Sequence, residues 1–168
     1  EPDSKGNITV TFFVGCLIDK IFPRIANTAI DIFRHHDIGF YIPDSQGCCG
    51  IPALSAGDTT TFEQLVAYNV NKIIAQHFDY LVTACATCTS TIKKLWPAMS
   101  NHMDDELKDN ITSIADRTID ISQFLVEKAG ITESGITPDD AAQTVTYHDP
   151  CHLKKSLGVS AEPRTLIN

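Results

Sequence analysis

Two cysteines stand side by side between glycines in the stretch QGCCGIP, Gln46 to Pro52. Neighbouring Cα atoms lie only about 3.8 Å apart across a trans peptide, short of the usual disulfide separation, so Cys48 and Cys49 are poor partners for each other. Three more cysteines are spaced around them. Thirty-one residues separate Cys16 from Cys48, thirty-five separate Cys49 from Cys85, and two separate Cys85 from Cys88 in the sequence CATC. The thiolate is the nucleophilic and metal-binding form of cysteine. In a reducing compartment, a chain with six cysteines points to metal or redox chemistry rather than to structural disulfides. The alternative is that they are small buried hydrophobes, which a vicinal pair between glycines contradicts.

The elements that carry these residues decide whether they meet. ITVTFFVG, Ile8 to Gly15, is β-branched and aromatic and reads as a buried strand ending just before Cys16. Pro23 stands where a helix can start, and from Arg24 to His36 apolar residues recur at helical spacing, with Gly39 after the end. GFYI, Gly39 to Ile42, reads as a second strand and leads into the CCG loop. Thr59 to Gln76 reads as a helix built on Phe62, Leu65, Val66, Val70, Ile73 and Ile74, and YLVT, Tyr80 to Thr83, is a third strand that opens into CATC. Short strands alternating with helices predict an α/β fold, a parallel sheet flanked by helices.

In that fold each of the five cysteines lies beyond the carboxyl end of a strand. Open parallel sheets bind ligands at that edge, so the five thiols are expected to converge there. Cys85 and Cys88 fall at a helix start, where free N–H groups and the dipole favour thiolate over thiol. Gly47 and Gly50 are candidate cofactor-binding positions, because glycine admits positive φ and lets backbone pass close to a bulky inorganic group. Pro52 stiffens the exit of the loop.

Composition narrows the function class. The 168 residues are 43% hydrophobic, enough for a packed core without disulfide staples. A formal charge of −8 and a pI near 5.0 argue against nucleic acid as partner, because phosphate contacts need a basic patch. No apolar run is long enough to span a membrane, and the acidic start EPDSKGN resembles no secretion signal, so the cytoplasm is the expected compartment, with any membrane association made through partners. No GxGxxG follows a strand, so no flavin or nicotinamide fingerprint is present.

Elsewhere the readings are plainer. The acidic run Asp104, Asp105, Glu106 reads as a solvated face. His35 and His36 read as residues at a helix C-terminus, His77 and His102 as surface, and Trp96 before Pro97 as the end of a packed helix. Lys154 and Lys155 read as solvated, while His148 reads equally as core or as part of a second site with His152. Gly130 to Gln143 is rich in turn formers and reads as a connector. After it the chain repeats itself: VTFFVGC, Val10 to Cys16, aligns without gaps on VTYHDPC, Val145 to Cys151. The expected organisation is a linker over residues 1–9, a first cysteine-rich unit over 10–143 and the truncated start of a second over 144–168.

A structural zinc site is tetrahedral and is commonly closed by two CxxC pairs or by a CxxC with histidines. This chain has one CxxC, one vicinal pair and a lone Cys16. Five thiolates suit an iron–sulfur cluster better, because several irons share them; a simple cubane takes four, so a fifth implies an unusual cluster or a cysteine kept free for chemistry.

On these spacings, and on GCLIDKIFP, QGCCGIPALSAGD and HDPCHLKKSLGV, the chain resembles the cysteine-rich CCG domain family over Val10 to about Arg164. That family includes a subunit of heterodisulfide reductase, the iron–sulfur subunit of glycolate oxidase and lactate-utilisation proteins, and the flanking residues are most similar to the last two. The resemblance implies that Cys16, Cys48, Cys49, Cys85 and Cys88 ligate a [4Fe-4S] cluster, of the non-cubane kind in heterodisulfide reductase, with Cys151 as the first cysteine of a second copy. The family's upstream CxxCxxC segment and second CCG are missing here, which leaves a zinc-filled or empty site as the alternative. The implied role is an electron-transfer subunit, itself not catalytic, that works with a flavoprotein 2-hydroxy-acid dehydrogenase and with other iron–sulfur domains of the same chain. A thiol–disulfide reductase of the heterodisulfide type is the second reading, and a zinc-stabilised interaction domain is the third.

Overall fold

The computed structural model describes residues 8–132 and 146–167. Four short strands form one parallel sheet: β1 (Thr9–Phe12), β2 (Gly39–Tyr41), β3 (Tyr80–Thr83) and β4 (Thr118–Asp120), in the order β2-β1-β3-β4. Register pairs Thr11 with Tyr41, Phe12 with Val82 and Thr83 with Asp120, so all four carboxyl ends share one edge. The chain runs from β1 outward to β2 and then back past β1 to β3. The direction of winding reverses between β1 and β3, and that is where a cleft opens at the carboxyl edge of a parallel sheet. Cys16 follows β1 and Cys85 follows β3.

Alternation along the strands divides the core. Val10, Phe12 and Val82 point to one face, where they pack with Ala26, Ala29 and Phe33 of α2 (Pro23–His35) and with Phe124 and Leu125. Phe13 and Leu81 point to the other, against Phe62, Val66 and Val70 of α4 (Thr59–Ile73), Ile111 and Ile114 of α7 (Asp105–Arg117), and Trp96. Helices on both faces of a parallel sheet are the expected α/β arrangement. Short α1 (Cys16–Lys20), α3 (Ile51–Ser55) and α5 (Ala86–Ser90) start in or just after the cysteine loops. From α5 the chain stays helical through a π turn, Thr91–Leu95, into α6 (Trp96–Ala98).

The acidic run does more than face water. Asp104 caps α7, its Oδ1 accepting from Leu107 N at 2.9 Å, and Asp105 and Glu106 fill the first turn, where the helix dipole favours negative charge. β4 follows directly, before α8 (Ile121–Gln123) and a second π turn, Phe124–Lys128.

Residues 1–7 of the expected linker and residues 133–143 of the expected connector lie outside the described residues, while Thr9, placed in the linker by the sequence reading, belongs to β1. Beyond the connector, Thr146 and Tyr147 belong to no strand, unlike their repeat partners Thr11 and Phe12 in β1. They lead to a π turn, His152–Ser156, which packs on α5, and to α9 (Ala161–Ile167), which packs on α8 and the Phe124–Lys128 turn. Leu153 is 4% exposed, and Ser156 Oγ meets Ser90 Oγ at 2.8 Å. Asp149 binds Arg164 through both oxygens, at 2.6 and 3.1 Å, and Lys154 at 2.6 Å, so Lys154 is paired rather than free in solvent. His148 is exposed, which removes it from the core.

Candidate metal centre

The three cysteine loops are held by hydrogen bonds that begin at the tip of β1. Past the end of the strand, Val14 N donates to Gln46 Oε1 and Gln46 Nε2 donates to Phe12 O, both at 2.8 Å. The Gln46 amide thus mimics a neighbouring strand and ties the CCG loop to the Cys16 loop. Gly15 turns the chain at φ 76° into α1, which starts at Cys16. A Cβ at Gly15 would lie 3.2 Å from Cys88 Sγ, so this glycine makes room at the sulfurs.

The CCG loop rests on α4 and α6. Asn69, 1% exposed, accepts from Gly47 N at 2.9 Å and donates to Cys48 O at 2.8 Å and to Leu65 O at 2.9 Å. Trp96, fully buried, donates its indole N–H to Cys49 O at 2.9 Å. Gly50 turns the loop into α3 at φ 94°, and a Cβ there would lie 2.6 Å from Phe62 Cδ2. On Gly47 a Cβ would meet Asn69 and Tyr68 at 3.4 Å. Both glycines therefore face the packing side of the loop, and the glycine beside the sulfurs is Gly15.

Cys85 caps α5, its sulfur accepting from Cys88 N at 3.5 Å, while Thr83 Oγ1 accepts from Cys85 N at 3.2 Å. The result is a cavity of about 270 Å³ lined by Cys16, Cys48, Cys49, Cys85 and Cys88, with apolar Val14, Leu17, Ile18 and Pro52 among its other walls. Cys16 Sγ lies 3.5 Å from Cys48 Sγ. Cys16 is exposed, Cys48 and Cys85 are half-buried, and Cys49 and Cys88 are buried. Cys151 is exposed and stands outside this wall; its neighbour His152 reaches the rim, with Nδ1 2.9 Å from Thr87 Oγ1. Sequence reading missed Gln46, Asn69 and Trp96 as supports of the site.

The sulfurs are poised unequally. Hydrogen bonding with the neighbouring Cys88 thiol draws Cys85 down to about 6, with help from the Thr87 and Cys88 amides, and Cys49 down to about 7, with help from Ile51 N–H and the Thr91 hydroxyl. Those same bonds, together with burial, push Cys88 far above the ordinary thiol range. Burial pushes Cys48 up to about 12. Near neutral pH the cavity therefore carries negative charge between apolar walls, and buried charge needs a counter-charge or a metal. Among the described residues no three His, Cys, Asp or Glu side chains close on one point as ligands of a single ion. The sulfurs ring a cavity instead. An all-sulfur donor set spread in this way fits a cluster in which several irons share thiolates.

The pattern of the cysteine-rich domain family, CCG, matches residues 10–93, half of the chain. The chain belongs to this family. Among curated proteins it is similar to a subunit of the fumarate reductase (CoM/CoB) of Methanothermobacter marburgensis, 33% identical over 95% of this chain and 29% of that protein. It is also similar to an uncharacterised iron–sulfur protein of Methanococcus maripaludis, 35% identical over 94% of this chain and 28% of that one. Lactate utilization protein A of Anoxybacillus flavithermus is 27% identical over 95% of this chain and 64% of its own length. The chain thus spans under a third of the first two and just under two thirds of the third.

Proposed function

We propose that this domain is an iron–sulfur part of an oxidoreductase subunit, in which Cys16, Cys48, Cys49, Cys85 and Cys88 hold a [4Fe-4S] cluster of the non-cubane kind. The observation that carries the reading is the convergence of five sulfurs on one cavity at the winding reversal of the sheet. When bound, the cluster supplies a one-electron store. The chain's own residues do the rest: Gly15 leaves space at Cys88, backbone amides face the sulfurs of Cys48, Cys49 and Cys85, and Leu17, Ile18 and Pro52 keep the interior dry. Cys16 is the exposed member of the set, which makes the α1 side the route for electrons. Cys151 begins a second unit over residues 144–168 in this reading.

The partner in this reading is a flavoprotein that oxidises lactate or a related 2-hydroxy acid, and the domain receives its electrons in the cytoplasm together with other iron–sulfur domains. Similarity to lactate utilization protein A supports it. The higher identity to the fumarate reductase (CoM/CoB) subunit favours a second reading, a thiol–disulfide reductase site reached by substrate beside exposed Cys16. Anaerobic loading with iron and sulfide, followed by stopped-flow absorbance, separates them. Lactate-dependent reduction through a flavoprotein supports the relay, and cleavage of a disulfide without any hydroxy-acid response overturns it. Zinc binding without iron overturns both.

A further inference from the structure

The supports of the CCG loop do something that packing alone would not require. Asn69 and Trp96 both take hold of carbonyl oxygens, those of Cys48 and Cys49, and both approach from the helix side of the loop. A trans peptide is planar, with its C=O and the following N–H pointing in opposite directions. Anchoring Cys49 O to the Trp96 indole therefore aims the Gly50 N–H the other way, and that N–H faces the Cys48 sulfur. The next peptide is fixed as well: Leu54 N donates to Gly50 O at 3.1 Å in the first turn of α3, and Ile51 N–H faces the Cys49 sulfur. Gly50, at φ 94°, provides the turn that lets successive amides point into the cavity while the carbonyls point out. Asn69 fixes the start of that turn, since one side chain accepts from Gly47 N and donates to Cys48 O.

We propose that Trp96 and Asn69 are positioning residues that set the reduction potential of the sulfur-bound group, by holding the peptide dipoles of the CCG loop with N–H toward the sulfurs. The proposal rests on the cluster reading above and deepens it. Amides directed at cluster sulfurs favour the reduced, more negative state, and the indole of Trp96 is a donor with no acceptor function, suited to holding one carbonyl in one direction. Asn69 supplies donor and acceptor together. Neither residue touches the cavity, so their influence passes through the backbone.

The test compares the parent chain with Trp96→Phe and Asn69→Asp. The first keeps an aromatic ring but removes the N–H; the second keeps the shape of Asn69 but removes the donor to Cys48 O. After anaerobic loading with iron and sulfide, spectroelectrochemical titration should give both variants a lower midpoint potential at unchanged iron content. The expected shift is at least tenfold in the reduction equilibrium, 59 mV for one electron. Phe33→Leu, in the core on the other face of the sheet, serves as control, lowering thermal stability without moving the potential. Equal potentials in parent and Trp96→Phe overturn the proposal. Where the chain or a variant takes no cluster, amide hydrogen exchange in the cofactor-free protein decides: Gly50 N–H exchange should rise at least tenfold in Trp96→Phe, and an unchanged rate overturns the positioning role. A parent that binds no iron while Gly50 responds as expected instead refutes the cluster reading and leaves the loop mechanism standing.

Discussion

Replacing Gly50 with alanine tests how the CCG loop is held, and two separate effects predict its cost. The first is conformational: at φ 94° an L-residue sits in the left-handed region, at about 1–2 kcal/mol. The second is steric, since the new methyl would lie 2.6 Å from Phe62 Cδ2, and Phe62 is fully buried with no room to swing away. Overpacking of this kind costs about 1–3 kcal/mol. Gly57 isolates the first effect, because it has φ 82° and a methyl placed there would meet nothing within 4 Å. In a chain of this size 1 kcal/mol moves Tm by about 2–4 °C, so Gly57→Ala, at about 1–2 kcal/mol, should lower Tm by about 2–8 °C and Gly50→Ala, at about 3–4 kcal/mol, by about 6–16 °C. Thermal denaturation of the cofactor-free protein at fixed pH measures both. In a Phe62→Leu background the loss from Gly50→Ala should shrink toward that of Gly57→Ala, a coupling that a double-mutant cycle reads directly. Equal losses at Gly50 and Gly57, or no coupling to Phe62, would refute the steric argument.

Cys48→Ser and Cys85→Ser should lower bound iron and sulfide after anaerobic reconstitution, whereas His35→Ala, at the exposed end of α2, should leave them unchanged; equal iron in all three contradicts the ligand assignment. Gly15→Ala puts a methyl 3.2 Å from Cys88 Sγ at a positive φ, and should slow cluster loading while Gly130→Ala, at φ 70° with open space around it, does not. In the cofactor-free chain the Cys85 thiolate forms as pH rises through about 6, whereas Cys48 stays protonated until about 12. Iodoacetamide should therefore label Cys85 at a half-maximal rate near pH 6 and spare Cys48 at pH 8, which peptide mass spectrometry can follow residue by residue.

Much of this site is legible before any coordinates, and the limits have physical causes. β1 and β3 show themselves through β-branched and aromatic runs, and each ends next to a cysteine, so the shared edge follows from parallel topology. The end of α2 at His35 follows from helical periodicity and the glycine after it. β4 is hidden because three residues carry no period, and the acid run ahead of α7 reads as solvent-facing until Asp104 is seen capping Leu107 N. The supports of the CCG loop are hidden for another reason. Trp96 and Asn69 meet Cys49 and Cys48 across long stretches of sequence, and a hydrogen bond of that span leaves no mark on local composition. The repeat of VTFFVGC is real as a string, yet Thr146 and Tyr147 belong to no strand, because seven matching residues carry no information about which strand edge is available to pair.

The winding of the sheet also fixes when the site can come into being. β2 is made before β3 yet lies on the far side of β1, so the walls of the cavity come from three loops that meet only after a long crossover has closed. The carbonyl of Cys49 waits for Trp96, which leaves the ribosome well after the CCG loop itself. Until that stretch has emerged and docked, the chain offers pairs of thiols but no cage. If the site holds the iron–sulfur cluster proposed above, delivery of iron and sulfide follows translation of the α6 segment, and a nascent chain stalled before Trp96 exposes oxidisable thiols.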